Sequence, residues 1–154
     1  MAGAPLTDLS GDGIQKVILY VDGSCSGNPG EGGAGVVIKD EHGKTIAYLK
    51  EYLGMVTNNR AEYHALILGL REAHGLGIRE VEVNLDSELV VNQVNGVYRI
   101  RDAQLKALEE EVRRLLGRYS RWVVRYIPRE NNREADRLAR EAVRDKHRSS
   151  GRWS

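Results

Sequence analysis

The chain has 154 residues, 41% of them hydrophobic and 29% charged, which suits one folded domain around a single core. No apolar run approaches a membrane span, the first residues lack the basic-then-apolar pattern of a signal peptide, and one cysteine, Cys25, excludes an internal disulfide. The net charge of +1 conceals a division, with 7 Lys and Arg against 13 Asp and Glu through Tyr98, and 16 against 9 from Arg99 onward.

Residues 1–15 hold glycines and a proline without periodicity and read as a flexible arm. Inside the arm, Asp8-Leu9-Ser10-Gly11-Asp12-Gly13 imitates the start of a calcium loop. The position for its closing Glu is Leu19, which excludes that reading. Lys16–Val21 is the pattern of a buried strand, ending at Asp22 before a loop rich in Gly, Ser, Asn and Pro. Glycines at such a place admit another backbone or a ligand. Gly30-Glu31-Gly32-Gly33-Ala34-Gly35 has the form G-x-G-x-x-G, but a strand, Val36–Lys39, follows where a dinucleotide site needs a helix. A turn at Asp40–Gly43 leads to a third strand, Lys44–Leu53, giving an antiparallel meander.

A helix is predicted from an Asn58 cap to Leu76, which places Glu62 in its first turn. Arg79–Leu85 alternates as a strand, ends at Asp86, and gives way to a short helix at Leu89–Gln93. Asp102 caps a longer helix with an apolar stripe of Leu105, Leu108, Val112, Leu115 and Leu116. Glu109, Glu110 and Glu111 fall largely outside that stripe. Trp122–Ile127 is the last strand, and Asn132 is the expected cap of a final helix with Asp136 in its first turns. The domain is expected over 16–145, followed by a basic tail over 146–154. Strand alternating with helix in the second half implies parallel pairing there.

Four acids thus occupy similar mechanical positions: Asp22 and Asp86 at strand ends, Glu62 and Asp136 at helix starts. Carboxylates gathered on one rim of a sheet repel unless cations neutralise them. An all-oxygen set suits Mg2+ or Mn2+, and His42, His64, His74 and His147 have no metal spacing. Two such ions about 4 Å apart can activate a water and stabilise a leaving phosphodiester oxygen. The acidic half beside the arginine-rich half fits a cation face next to a polyanion face, although charge runs alone also describe solvated helix faces.

Here the sequence resembles type 1 ribonuclease H. The resemblance rests on Asp22-Gly23-Ser24 with Gly27-Asn28-Pro29-Gly30, on Thr57-Asn58-Asn59-Arg60-Ala61-Glu62, on Asp86-Ser87, and on Asn132 with Glu134-Ala135-Asp136. It implies an α/β fold with a five-stranded mixed sheet, three strands antiparallel and two parallel, flanked by helices. It also implies endonucleolytic cleavage of the RNA strand of RNA–DNA hybrids by two metal ions, leaving 5′-phosphate and 3′-hydroxyl ends. On the same resemblance Asp22, Glu62, Asp86 and Asp136 are the metal-binding catalytic acids, while Asn28, Thr57, Asn58, Asn59, Glu88 and Asn132 contact substrate. Short amide and hydroxyl side chains are suited to reading 2′-hydroxyls.

The sequence departs from the family's pattern in three places. The loop before the last helix has no His; it looks like the archaeal-type branch in which an Arg serves, so Arg129 is either a charge stabiliser or a plain phosphate contact. A short turn replaces the basic, tryptophan-bearing handle many members carry between Gln93 and Asp102, which directs the search for hybrid grip to Arg99, Arg101 or Arg125. Glu88 stands where relatives often have Gln. A cytoplasmic monomer is expected. The alternatives are a catalytically silent nucleic-acid-binding domain of this fold, or a junction-resolving or integrase-like nuclease.

Overall fold

The computed structural model describes residues 13–153, so the expectations for residues 1–12, including most of the calcium-loop mimic, lie outside the described residues. The elements run β1 (Lys16–Gly27), β2 (Gly30–Asp40), β3 (Thr45–Val56), α1 (Asn58–Gly75), β4 (Glu80–Leu85), α2 (Glu88–Val94), α3 (Ala103–Leu116), β5 (Arg121–Tyr126) and α4 (Arg133–Trp153). Among the described residues no helix is long and apolar enough to cross a membrane.

The sheet has the order β3-β2-β1-β4-β5. The β1–β2 and β2–β3 pairs are antiparallel, and β1–β4 and β4–β5 are parallel. This is the mixed sheet expected from two hairpins followed by strand–helix alternation. Successive side chains of a strand point to opposite faces. Val17, Leu19 and Val21 of β1 and Ala34, Val36 and Ile38 of β2 form the main core with Tyr63, Leu66 and Leu70 of α1 and Val112, Leu115 and Leu116 of α3. The opposite face takes α4 through Ala135, Leu138, Ala139 and Ala142, all buried.

That second interface explains the glycine run. A Cβ on Gly33 would stand 2.1 Å from the Ala139 carbonyl oxygen, and one on Gly35 would stand 2.2 Å from that of Ala135. A Cβ on Gly23 would stand 2.0 Å from the Ala61 carbonyl carbon at the start of α1. Within the G-x-G-x-x-G form, Gly35 is therefore a packing surface for helix backbone, while Gly30 and Gly32 face the Ser26 carbonyl and the Val56 side chain.

Five local expectations are corrected. β1 does not end at Asp22 but continues to Gly27, paired with β2 down to Gly27–Gly30. Only its parallel partner stops early, at Tyr20 opposite Asn84, which leaves the Asp22 backbone past the end of β4. Thr57, not Asn58, caps α1, accepting the Arg60 amide at 3.3 Å, so Glu62 lies beyond the first turn. Glu109 is buried, 6% exposed, rather than outside the stripe. Finally, α4 continues through the expected tail as far as Trp153, and at the other end the Gln15 carbonyl accepts the Arg79 and Glu80 amides, so the arm ends before it.

Candidate active site

Three carboxylates meet where β1, β4 and α1 converge. Asp22 comes from β1 and points, with Tyr20, toward the α4 face. Glu62 comes from α1, held by the Gly23 amide, which donates to Oε1 at 2.5 Å. Asp86 follows the last residue of β4. One oxygen from each lies within 4.8 Å of the others, and Asp22 and Glu62 are only 5% and 6% exposed.

Like charges this close, in so little water, cannot all ionise cheaply. Burial, then Glu62, Asp86 and Asp136, push Asp22 up to about 10. Burial raises Glu62 to about 8 against the Gly23 amide, which favours its anion. Asp86 is also raised by burial, opposed by the Asn132 amide and by the Arg129 guanidinium. Without a cation, the protonated forms of Asp22 and Glu62 are favoured by burial and by their neighbours' charge.

Asp136 stands beside this trio rather than in it. Its Oδ2 pairs with Arg140 of the same helix at 2.8 Å, and its side-chain contact with Asp22, then its charge, raise the Asp22 pKa. Asn132 precedes α4, but its side chain turns inward: Nδ2 donates to the Val21 carbonyl at 2.8 Å and to Asp86 Oδ2 at 3.1 Å. It positions Asp86 instead of capping the helix, and no local pattern reveals this contact across 46 residues. The Asp136–Arg140 pair, by contrast, is legible as an i,i+4 spacing.

The donor set fits a hard divalent cation. All the acids offer oxygen, and Asn132 Oδ1 and Asp136 Oδ1 are buried without a hydrogen-bond partner. Buried acceptors left without donors are costly, and a cation or its coordinated water satisfies them.

The amide-rich residues form a second group next to the acids. Asn28 Oδ1 accepts the Asn58 amide N–H at 3.0 Å, and the Cys25 Sγ stands 2.9 Å from Asn58 Oδ1. Cys25, which no sequence pattern marks as part of the site, reaches Asn58 across 33 residues of chain. Asn59 is half-buried at the start of α1, and Glu88 is exposed in the first turn of α2. Arg129 is exposed in a single 3-10 turn before α4, close enough to Glu62 and Asp86 to lower their pKa values. Of the expected grip residues, Arg125 is paired with Glu82.

A family described as Reverse transcriptase-like matches residues 20–142. The chain is 39% identical over 129 residues to the bifunctional protein Rv2228c of Mycobacterium tuberculosis, covering 83% of this chain but 35% of that protein. It is 37% identical over 130 residues to ribonuclease HI of Halobacterium salinarum, covering 84% of this chain and 65% of that one. The chain thus spans about a third to two thirds of these relatives. The crystal structure of the halobacterial RNase H1 superposes with a TM-score of 0.83 over 84% of this chain and 98% of its own. That of LC11-RNase H1 with an RNA/DNA hybrid gives 0.81 at 41% identity, covering 84% of this chain and 98% of that one.

Proposed function

The chain belongs to the ribonuclease H family, type 1, and from that premise we propose that it hydrolyses the RNA strand of RNA–DNA hybrids, leaving 5′-phosphate and 3′-hydroxyl ends. The observation that carries the reading is the trio Asp22, Glu62 and Asp86, gathered within 4.8 Å with no cation of the protein's own among them. Asp22, Glu62, Asp86 and Asp136 hold two Mg2+ or Mn2+ ions, which when bound supply the activation of a water and charge stabilisation at the leaving oxygen.

The remaining work falls to the chain itself. Asn132 fixes Asp86 through its amide, and the Gly23 N–H fixes Glu62, so two ligands arrive preorganised. Asn58 has its backbone N–H and its Oδ1 already engaged, which leaves Nδ2 to donate outward; in Asn28 the Oδ1 is engaged and Nδ2 is left to donate likewise. The Thr57 hydroxyl accepts from Arg60, so its O–H proton is free to donate. These donors, with Asn59, address ribose 2′-hydroxyls and neighbouring acceptors of the hybrid. Arg129 holds the scissile or an adjacent phosphate and neutralises charge that develops there.

The test is incubation with labelled hybrid, double-stranded RNA and duplex DNA, each with and without chelator. Cleavage of the hybrid RNA strand alone, stopped by chelator, is expected. A DNA duplex carrying a short ribonucleotide run is cut only within or beside that run. Binding without cleavage identifies the silent domain, and efficient cutting of plain duplex DNA identifies a resolvase-like enzyme.

A further inference from the structure

The outward face of α4 carries Arg133, Arg137, Arg140 and Arg144, spaced four, three and four residues apart, and therefore in one line. Three acids of the same helix are turned to the sheet. Glu134 pairs with Lys39 of β2, and Glu141 and Asp145 pair with Lys50 of β3. Arg133 and Arg144 have no ion-pair partner among the described residues, and Arg137 reaches Glu141 only at 4.0 Å. The helix thus turns Glu134, Glu141 and Asp145 to the sheet and leaves Arg133, Arg137 and Arg144 exposed, while Arg140 pairs with Asp136.

The line is continuous with the acid site. A cleft of about 550 Å³ is lined by Arg129, Arg133, Arg137 and Arg140, with Glu130 and Asp136 in its wall. Beyond Arg140 a second cleft, of about 370 Å³, opens between Arg144 and His147 on one side and Ser24–Ser26 on the other. From Arg133 to Arg144 the helix rises about 16 Å at 1.5 Å per residue. Over a similar axial length one strand of a duplex presents about five phosphates.

We propose that this face of α4 is the backbone-gripping surface for the hybrid, a track of guanidinium groups that leads from the acids and holds consecutive phosphates of one strand. The proposal rests on the hybrid-cleavage reading and names the surface that supplies its affinity. Planar guanidinium forks match phosphate oxygens in a bidentate way, so arginine rather than lysine suits the task. Of the grip residues expected from sequence, Arg125 is already engaged by Glu82, whereas Arg133 and Arg144 of α4 have no ion-pair partner among the described residues.

The test compares the wild type with the triple variant Arg133→Ala, Arg137→Ala, Arg144→Ala. The charge-matched control is Arg79→Ala, Arg118→Ala, Arg121→Ala, at the opposite end of the parallel strands. Alanine favours helix, and thermal unfolding verifies that all three proteins fold. Anisotropy of a labelled hybrid in chelator reads binding without cleavage, and steady-state cleavage with metal reads KM against kcat. The α4 variant is expected to bind about ten- to a hundredfold more weakly near 0.1 M salt, with its effect on cleavage falling on KM. The slope of log affinity against log salt should shrink by about 2 to 3, about one for each phosphate the variant no longer holds. Unchanged binding and slope, or an equally weakened control, overturns the proposal. If the wild type cuts no hybrid, the cleavage reading fails instead, and the anisotropy series still decides whether α4 is the binding face.

Discussion

Two regions of this molecule bury acid, and they solve the problem in opposite ways. Glu109 of α3 is 6% exposed and pairs with Arg113 one turn on, while Arg113 also donates to the Val94 carbonyl. Beside it the Tyr63 hydroxyl donates to Gln93 Oε1 at 2.8 Å, so the polar groups are matched within the protein. Asp22, Glu62 and Asp86 are gathered just as firmly, but the cation beside them, Arg129, stays exposed in its turn and only acts at a distance. A buried carboxylate with its own guanidinium is architecture; a buried cluster of carboxylates without one is a place kept for an external cation.

The sharpest way to break the contrast is to remove charge from the unmatched cluster. Asp22→Asn is expected to reduce hybrid cleavage by about a thousandfold or more, the scale of losing several kcal/mol of transition-state stabilisation. The variant stays folded and, without metal, melts above the wild type at pH 8, because the amide is buried without the proton uptake that a carboxyl at this site requires. Substantial turnover at saturating metal would falsify the acid site.

Arg129 tests whether the cation near the cluster serves chemistry. Arg129→Ala is expected to lower kcat by about ten- to a thousandfold, as when one stabilising donor is removed. Since arginine does not titrate, the pH profile keeps its shape, and Arg129→Lys recovers part of the rate. An effect confined to KM makes Arg129 a phosphate contact.

The pH dependence of stability separates the two regions without mutation. Asp22 and Glu62 have folded-state pKa values raised from 3.8 and 4.5 to about 10 and about 8. A raised carboxyl stabilises the fold below its unfolded value, and that contribution is lost as pH rises through the folded one. The metal-free protein should therefore lose stability progressively from about pH 4 toward pH 8 to 10. Mg2+ or Mn2+ at about a hundred times its Kd should raise Tm by about 5–10 °C at pH 8 and by clearly less at pH 5. Calorimetry in buffers of different ionisation enthalpy should show proton release on binding; a pH-independent metal effect would count against the protonated cluster.

The smallest effect belongs to the matched pair. Arg113→Ala leaves Glu109 buried without its partner and is expected to cost about 1–3 kcal/mol, toward the lower end because Arg113 is half exposed. Denaturant titration reads this change. Cleavage at saturating metal should be untouched; a changed metal requirement would show that the two regions are coupled.

The chemistry-bearing residues are legible because each sits at a local boundary that composition marks. Asp86 follows an alternating strand, Asp136 opens a helical stripe, and Thr57–Glu62 opens another. Their spacing and the family resemblance together single out the acids. The roles of their supports are not legible: Asn132 has the pattern of a cap and instead braces Asp86, while Cys25 carries no signal for its contact with Asn58.

What the sequence determined by itself is whatever depends on neighbours along the chain. The order of strands and helices, the antiparallel and then parallel pairing, and the α3 and α4 stripes all follow from periods of two and of 3.6 residues. Tertiary structure decided what depends on neighbours in space. Gly23, Gly33 and Gly35 look like loop residues by propensity, yet they are strand, because helix backbone approaches closer than any Cβ allows. Glu109 looks solvated by its place on the helix, yet it is buried, because Arg113 and the α1–α3 packing receive it. Asp136 looks equivalent to the other three acids, yet it touches Asp22 from the side while pairing with Arg140, because the meeting point of three separate elements is a distance that no periodicity encodes.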